Sequence, residues 1–281
     1  MNFTKMQAAG NDFILVDEVV PERDWPSLAR DLCQRHYGIG ADGLILVLPA
    51  SNADFEMRVY NADGSEPESC GNGIRCFTRY VVEKGLVPVG KNEILLVTKA
   101  GLYQATVHYD HGKINKIRVS MGAPVFTPAK IPVILAGDVV DIMLDYPLTV
   151  EGEELSLNFV SMGNPHAVFF VSYPVADFPL ERLGASVENH PIFPNRINFE
   201  VARIIDRENI EARIWERGVG ETKASGTGAC AIAVLAQRRG DVGNRVGIKL
   251  PGGVLDVEWD GRGEVFQSGP AEIVFTGDWP V

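Results

Sequence analysis

Two segments of this chain have side chains and spacing suited to moving a proton. Residues 60–76 read YNADGSEPESCGNGIRC, and residues 215–230 read WERGVGETKASGTGAC. Each sets a small side chain that can hold or release a proton, Cys70 or Ser225, directly before Gly-x-Gly and a predicted helix. The first turn of a helix leaves backbone N–H groups unpaired and carries partial positive charge, so it receives a carboxylate and stabilises an anion beside it. A cysteine there is expected to be acidic, falling from about 8.5 toward roughly 3.5–7.5, which gives a thiolate base near neutrality. Gly71, Gly73, Gly226 and Gly228 leave the amides open to a ligand. Two such helix starts facing one another would set one group on each side of a single carbon. One group then removes a proton from one face while the other, protonated, delivers one to the opposite face, which inverts the centre. The helix amides would stabilise the charge developing on the substrate carboxylate.

The elements that must carry these loops show a repeat. A shift of 155 residues sets EMRVYNADGSEPESCGNG (56–73) on EARIWERGVGETKASGTG (211–228) without a gap. Glu56 meets Glu211, Arg58 meets Arg213, Glu66 meets Glu221, Gly71 meets Gly226 and Gly73 meets Gly228. An internal duplication follows. Strands are predicted at 13–17, 44–48, 55–60, 93–98, 103–109 and 116–121, and again at 156–162, 167–171, 197–205, 209–215, 245–250, 254–259 and 272–277. Helical periodicity appears at 26–36, 74–84, 179–188 and 229–239, the second and fourth stopped by Gly85 and Gly240. No regular β-α-β-α alternation occurs, so the class is α+β and a doubly wound nucleotide fold is disfavoured. The proline-bearing stretch 122–133 is the expected boundary between halves.

Composition limits the partners. The chain has 281 residues, 46% hydrophobic and 22% charged, with a net charge of -11, which suits a soluble two-domain protein and not a nucleic-acid surface. No apolar run reaches the roughly 18–20 residues of a membrane helix and the N-terminal stretch lacks an export signal, so no membrane partner and a cytoplasmic location are expected. Four cysteines, Cys33, Cys70, Cys76 and Cys230, are too few for a disulfide scaffold. Cys76 and Cys230, inside their helices, are expected to pack as small apolar groups, and Cys33 as a structural helix residue. Gly38-Ile-Gly-Ala-Asp-Gly43 matches G-x-G-x-x-G but follows a helix and precedes a strand, the reverse of the dinucleotide order. No phosphate-binding, H-E-x-x-H or C-x-x-C motif occurs, and Ser225 is not in G-x-S-x-G, so no metal, no cofactor and no hydrolase elbow are expected.

The segments AAGNDFILVD (8–17), GIGADGLILV (38–47), YNADGSEPESCGNGIRC (60–76), SMGNPHAVFFV (161–171), NRINFEV (195–201), ERGVGETKASGTGAC (216–230) and LPGGVLDVEW (250–259) together resemble diaminopimelate epimerase. The resemblance implies two pseudo-symmetric domains, 1–123 and 124–269, each a mostly antiparallel sheet wrapped round a central helix, with the tail from about 270 to 281 packing back on the first. It implies a cofactor-independent two-base epimerisation of LL-diaminopimelate to the meso form, for lysine and cell-wall synthesis, in a homodimer. Cys70 and position 225 would be the bases, with His166 and Glu216 assisting. Asn11, Asn61, Asn164, Asn198, Glu216 and Arg217, with the amides of Gly71, Asn72, Gly226 and Thr227, would hold the substrate. Arg217 suits a carboxylate, and asparagines orient a zwitterion without adding charge. Gly43 stands where some members carry glutamine.

One departure stands out. The family carries cysteine in both loops, whereas this chain has Ser225 in the second. A hydroxyl is far less acidic than a thiol, so strongly impaired epimerase turnover is expected. An introduced substitution, a natural variant with altered chemistry and a natural epimerase working with serine all fit the sequence. A one-thiol isomerase or dehydratase of the same fold, or a turnover-deficient binding protein, are the alternatives.

Overall fold

The computed structural model describes residues 1–17, 20, 22–67, 70–135 and 142–280. Residues 68 and 69 of the first loop lie outside these. The chain divides into two compact units, Met1–Ser120 with Ser268–Val281, and Met121–Gln267. The proline-bearing stretch belongs to the second, where Val125 bridges Ser161.

In the first unit the order is β1 (Asn2–Ala8), β2 (Asn11–Val16), α1 (Trp25–Cys33), β3 (Gly43–Pro49), β4 (Phe55–Asn61), α2 (Gly71–Glu83), β5 (Glu93–Thr98), β6 (Gly101–Asp110) and β7 (Lys113–Ser120). In the second it is β8 (Tyr146–Val150), β9 (Glu153–Ser161), β10 (Pro165–Phe170), α3 (Leu180–Glu188), β11 (Asn198–Ile204), β12 (Asn209–Glu216), β13 (Gly220–Thr222), α4 (Gly226–Arg239), β14 (Arg245–Leu250) and β15 (Gly253–Glu258). The short β16 (Phe266–Gly269) follows, and β17 (Glu272–Asp278) pairs antiparallel with β1, so the tail completes the first unit's sheet.

The two units repeat one connectivity. β1–β2 is antiparallel, β2–β3 parallel, β3–β4 antiparallel and β4–β5 parallel. In the same sequence β9–β10 is antiparallel, β10–β11 parallel, β11–β12 antiparallel and β12–β14 parallel. The duplication is therefore wider than the 18 residues that align in sequence: α1 and α3, and β3 and β11, also match residue for residue at the 155-residue offset. Even the ion pair that closes each loop is repeated, Arg58 Nε to Glu66 Oε1 at 2.7 Å and Arg213 Nε to Glu221 Oε1 at 2.8 Å.

Each sheet wraps a helix. α2, with Ile74, Phe77, Tyr80 and Val81 buried, packs on β1, β2, β6 and β7, while α4 packs on β9, β10, β11, β14 and β15. From Gly228 to Ala236 every residue of α4 is buried, as a helix apolar all round must be. Its alanines let the surrounding strands approach. Outside the sheets, α1 lies on β3 and β4 and α3 on β11 and β12.

The boundaries differ from the periodicity where glycine intervenes. α2 and α4 begin at Gly71 and Gly226, three residues before the apolar repeat, because the Gly-x-Gly residues are themselves the first turn. Glycine's low helix propensity hides that turn from a periodicity reading, and the capping residue decides it instead. α1 stops at Cys33 and not at 36. There Gln34 is extended, and Gly38 folds over the last turn so closely that a Cβ would lie 2.2 Å from Asp31 O. β1 escaped the sequence reading because Thr4 and Lys5 interrupt its apolar pattern, although both are buried. Lys5 Nζ is satisfied there by Gly40 O and, at 2.6 Å, by Asp12.

α3 is seated by a glycine on an indole. A Cβ at Gly184 would lie 2.5 Å from Trp215 Cδ2. Gly184→Ala is expected to cost about 1–3 kcal/mol of overpacking, read as a lowered urea midpoint at unchanged slope. An unchanged midpoint would show that the α3–Trp215 contact yields freely.

Candidate active site

The two loops deliver the same local geometry. Cys70 is the N-cap of α2 in extended conformation, and its Sγ accepts the Gly73 N–H at 3.4 Å. Ser225 is the N-cap of α4, also extended, and its Oγ accepts the Gly228 N–H at 3.4 Å. Both are N-cap bonds that occupy one of the orphan amides of a helix start. A hydrogen bond received from an amide favours the charged form of a thiol, as does the helix dipole. Space is tight at both third positions. A Cβ at Gly73 would lie 3.1 Å from Ile45 Cδ1, and one at Gly228 would lie 2.8 Å from Ile214 Cδ1 and 3.0 Å from Glu200 Oε1.

In the first unit the helix start is joined to the β1–β2 turn. Asn11 Oδ1 lies 4.0 Å from Cys70 Sγ and accepts Asn72 Nδ2 at 3.1 Å. Asn72 in turn accepts Arg75 Nη2 at 2.6 Å, and Arg75 is fully buried and also donates to Pro270 O. On its other side Asn11 Nδ2 donates to Asp42 at 2.7 Å, and Arg35 clamps Asp42 and Asp12. Burial works against the Asp12 charge, yet Arg35 and Lys5 hold its carboxyl at about 2. Asn61 is exposed at the end of β4 and bonds Ser65 at 2.9 Å, forming the turn below the loop. A Cβ at Gly43 would meet Tyr60 O at 2.7 Å, so a longer side chain there needs β3 or β4 to shift.

The second unit joins its helix start to the β9–β10 turn in the equivalent way. Asn164 Nδ2 donates to Thr227 Oγ1 at 3.2 Å, matching the Asn11–Asn72 contact, and Asn164 Oδ1 lies 2.8 Å from His166 Nε2. His166 Nδ1 lies 2.7 Å from Glu200 Oε1, with both residues fully buried. Asn198 is buried and satisfied by backbone, accepting the Arg217 N–H at 2.9 Å and donating to Pro165 O at 2.8 Å. It fixes the loop after β12. Glu216 accepts Thr222 Oγ1 at 2.6 Å, and the exposed Arg217 donates to Asn195 O. Glu188 of α3 braces the same loop, receiving Gly218 N–H and Trp215 Nε1, each at 2.8 Å.

The structure thus brings Asn11, Cys70 and Asn72 together in one unit, and joins Asn164, His166 and Thr227 at the start of α4 in the other. Glu188, Glu200, Arg75 and the Asp12–Arg35–Asp42 cluster were missed by sequence reasoning. The available signal was a charged residue inside an apolar strand or helix, as Glu200 is within NFEVARI.

A sequence model of one family, diaminopimelate epimerase, matches residues 3–127 and 158–274. The chain belongs to that family. The diaminopimelate epimerase of Moorella thermoacetica is 47% identical over 285 residues, covering all of both chains, and that of Acetivibrio thermocellus is 44% identical, covering 99% of this chain and 98% of the relative. Among solved structures, a PhzF-family phenazine biosynthesis protein of Bacillus anthracis is 17% identical at a TM-score of 0.73, covering all of this chain and 99% of that one. A probable proline racemase of Agrobacterium radiobacter, also 17% identical, gives 0.71 and covers 100% and 93%. These two share the fold.

The four cysteines differ sharply in reach. Cys33, Cys76 and Cys230 are buried, whereas Cys70 is partly exposed. Burial pushes the Cys33 thiol up to about 12 and raises Cys76 as well. Iodoacetamide at pH 7 is therefore expected to alkylate Cys70 first and alone in the folded chain, read by peptide mass mapping. Labelling of Cys33 or Cys76 at a comparable rate would contradict the packing described.

Proposed function

We propose that this chain acts on diaminopimelate at its α-carbon, as a cofactor-independent epimerase between the LL and meso forms whose second base position is weakened by Ser225. Membership of the diaminopimelate epimerase family over nearly the whole chain supports the substrate. The observation that carries the chemistry is Cys70 as the N-cap of α2, with Asn11 and Asn72 beside it. In this reading the Cys70 thiolate takes the α-proton and becomes a thiol, and the electron pair left on carbon is stabilised through the substrate carboxylate by helix-start amides. The group at 225 must then give a proton to the opposite face. In the reverse direction that group must take the proton, which a serine hydroxyl does poorly. Asn61, Asn164, Asn198, Glu216, Arg217 and the amides of Gly71, Gly226 and Thr227 are proposed to hold the substrate, Asn198 by fixing the Arg217 loop. His166 is proposed to assist at the second base.

The test follows the isotope and the configuration separately. In deuterium oxide this chain is expected to exchange the α-proton that meets Cys70 with retention, and to invert slowly. Ser225→Cys is expected to raise inversion by about 10²-fold or more, the usual worth of a positioned acid or base. No gain in inversion would sink the two-base account. Exchange absent in both, with tight binding of diaminopimelate, would identify a binding protein.

Residence in the cytoplasm and a homodimeric state accompany this reading. Light scattering is expected to give the mass of two chains, and the mass of one would exclude the dimer.

A further inference from the structure

The two half-sites match in backbone but not in what lies beneath the helix start. In the register of β2 with β3, Phe13 pairs with Gly43, and in that of β10 with β11, His166 pairs with Asn198. Phe13 and His166 are thus equivalent, and so are Ile45 and Glu200, two residues further along β3 and β11. The first unit places an apolar pair there, Phe13 and Ile45, both buried. The second places an imidazole and a carboxyl 2.7 Å apart, both with no exposed surface. Charge in such a place is costly unless it is paired and hydrogen-bonded.

We propose that Glu200 is a positioning residue: it holds His166 with its Nε2–H aimed at Asn164, and through Asn164 it sets the polar contact with Thr227 at the start of α4. Asn164 Nδ2 is spent on Thr227 Oγ1, so the atom facing His166 Nε2 is the acceptor Oδ1, and Nε2 must carry a hydrogen. Between His166 Nδ1 and Glu200 Oε1 there is room for one proton only. Glu200 Oε2 is buried with no hydrogen-bond partner, which disfavours a carboxylate. Burial raises the Glu200 carboxyl toward its neutral form, His166 opposes this and Glu216 adds to it. The titratable groups acting on Glu200 are these two, since the first turn of α4 presents Gly228 to it and no charge. The unpartnered Oε2 and the burial together favour a carboxyl that donates to Nδ1, which fixes the tautomer of a ring that would otherwise choose between two.

The decisive measurement is the nitrogen spectrum of His166 in the full chain labelled with ¹⁵N-histidine, assigned by loss of the signal in His166→Asn. The expected result, read at a single pH of about 8, is one Nε2–H tautomer pattern in place of the mixture a free imidazole gives. Glu200→Gln, whose amide can donate to Nδ1 in the same place, is expected to keep that pattern. Glu200→Ile, which installs the residue of the equivalent position, is expected to lose it, giving mixed tautomers. Should Glu200→Ile not fold, Glu200→Asp, which withdraws the carboxyl from Nδ1, carries the same expectation.

The binding arm rests on the proposed function. Affinity for LL-diaminopimelate by calorimetry is expected to fall about tenfold in Glu200→Ile and to stay within about threefold in Glu200→Gln. A parent chain whose His166 gives mixed tautomers overturns the assignment, as does a Glu200→Gln variant that loses the pattern. A parent chain that shows the pattern but fails to bind diaminopimelate overturns the substrate reading and leaves Glu200 in place.

Discussion

A helix that begins in the interior of a protein brings unpaired N–H groups with it, and they must be met. In both units of this chain that obligation falls on the central helix, and leaving one buried donor unmet costs about 1–3 kcal/mol. Cys70 and Ser225 each satisfy one amide as N-caps, Cys70 that of Gly73 and Ser225 that of Gly228. Much of the architecture serves this arrangement. The sheets wrap α2 and α4, the glycines of the first turn remove the Cβ atoms that would collide with Ile45 and Ile214, and the ion pairs Arg58–Glu66 and Arg213–Glu221 close the loops that feed the helices.

Duplication supplies the geometry, and divergence supplies the chemistry. The two units share strand order, loop closure, cap and the asparagine contact at the helix start, which a copied backbone would retain without further selection. Their buried surroundings have parted. Beside Cys70 the first unit has the fully buried Arg75 three residues beyond Asn72, with Ile45 beneath. At Arg75's equivalent position the second unit has the small Cys230, and it has Glu200 and His166 where the first has Ile45 and Phe13. Two copies of one helix start thereby offer different electrostatic settings.

The asparagines illustrate how differently one residue type can serve. Asn11 and Asn164 sit at turns between the first two strands of each repeat and reach the helix start. Asn198 spends its amide on the backbone of Pro165 and Arg217, and so acts as a strut for the loop bearing Glu216 and Arg217. Asn61 shapes its own turn with Ser65. Glu188, from α3, braces the second loop from below and ties its position to the outer layer of the unit.

Much of this was legible in the sequence. The paired loops, their 155-residue spacing, the α+β class and most strands follow from local residue order, because hydrophobic period and glycine act over a few residues. Family motifs named the residues gathered at each helix start. Tertiary structure alone decided the rest. β1 is a strand although its pattern is broken, since the charge on Lys5 is met by Asp12 and Gly40 from elsewhere in the chain. The extent of the duplication lies in strand pairing, and strand register is a property of partners distant in sequence. The joining of Glu200 to His166 depends on parallel strands 34 residues apart coming side by side, a contact that no local rule encodes.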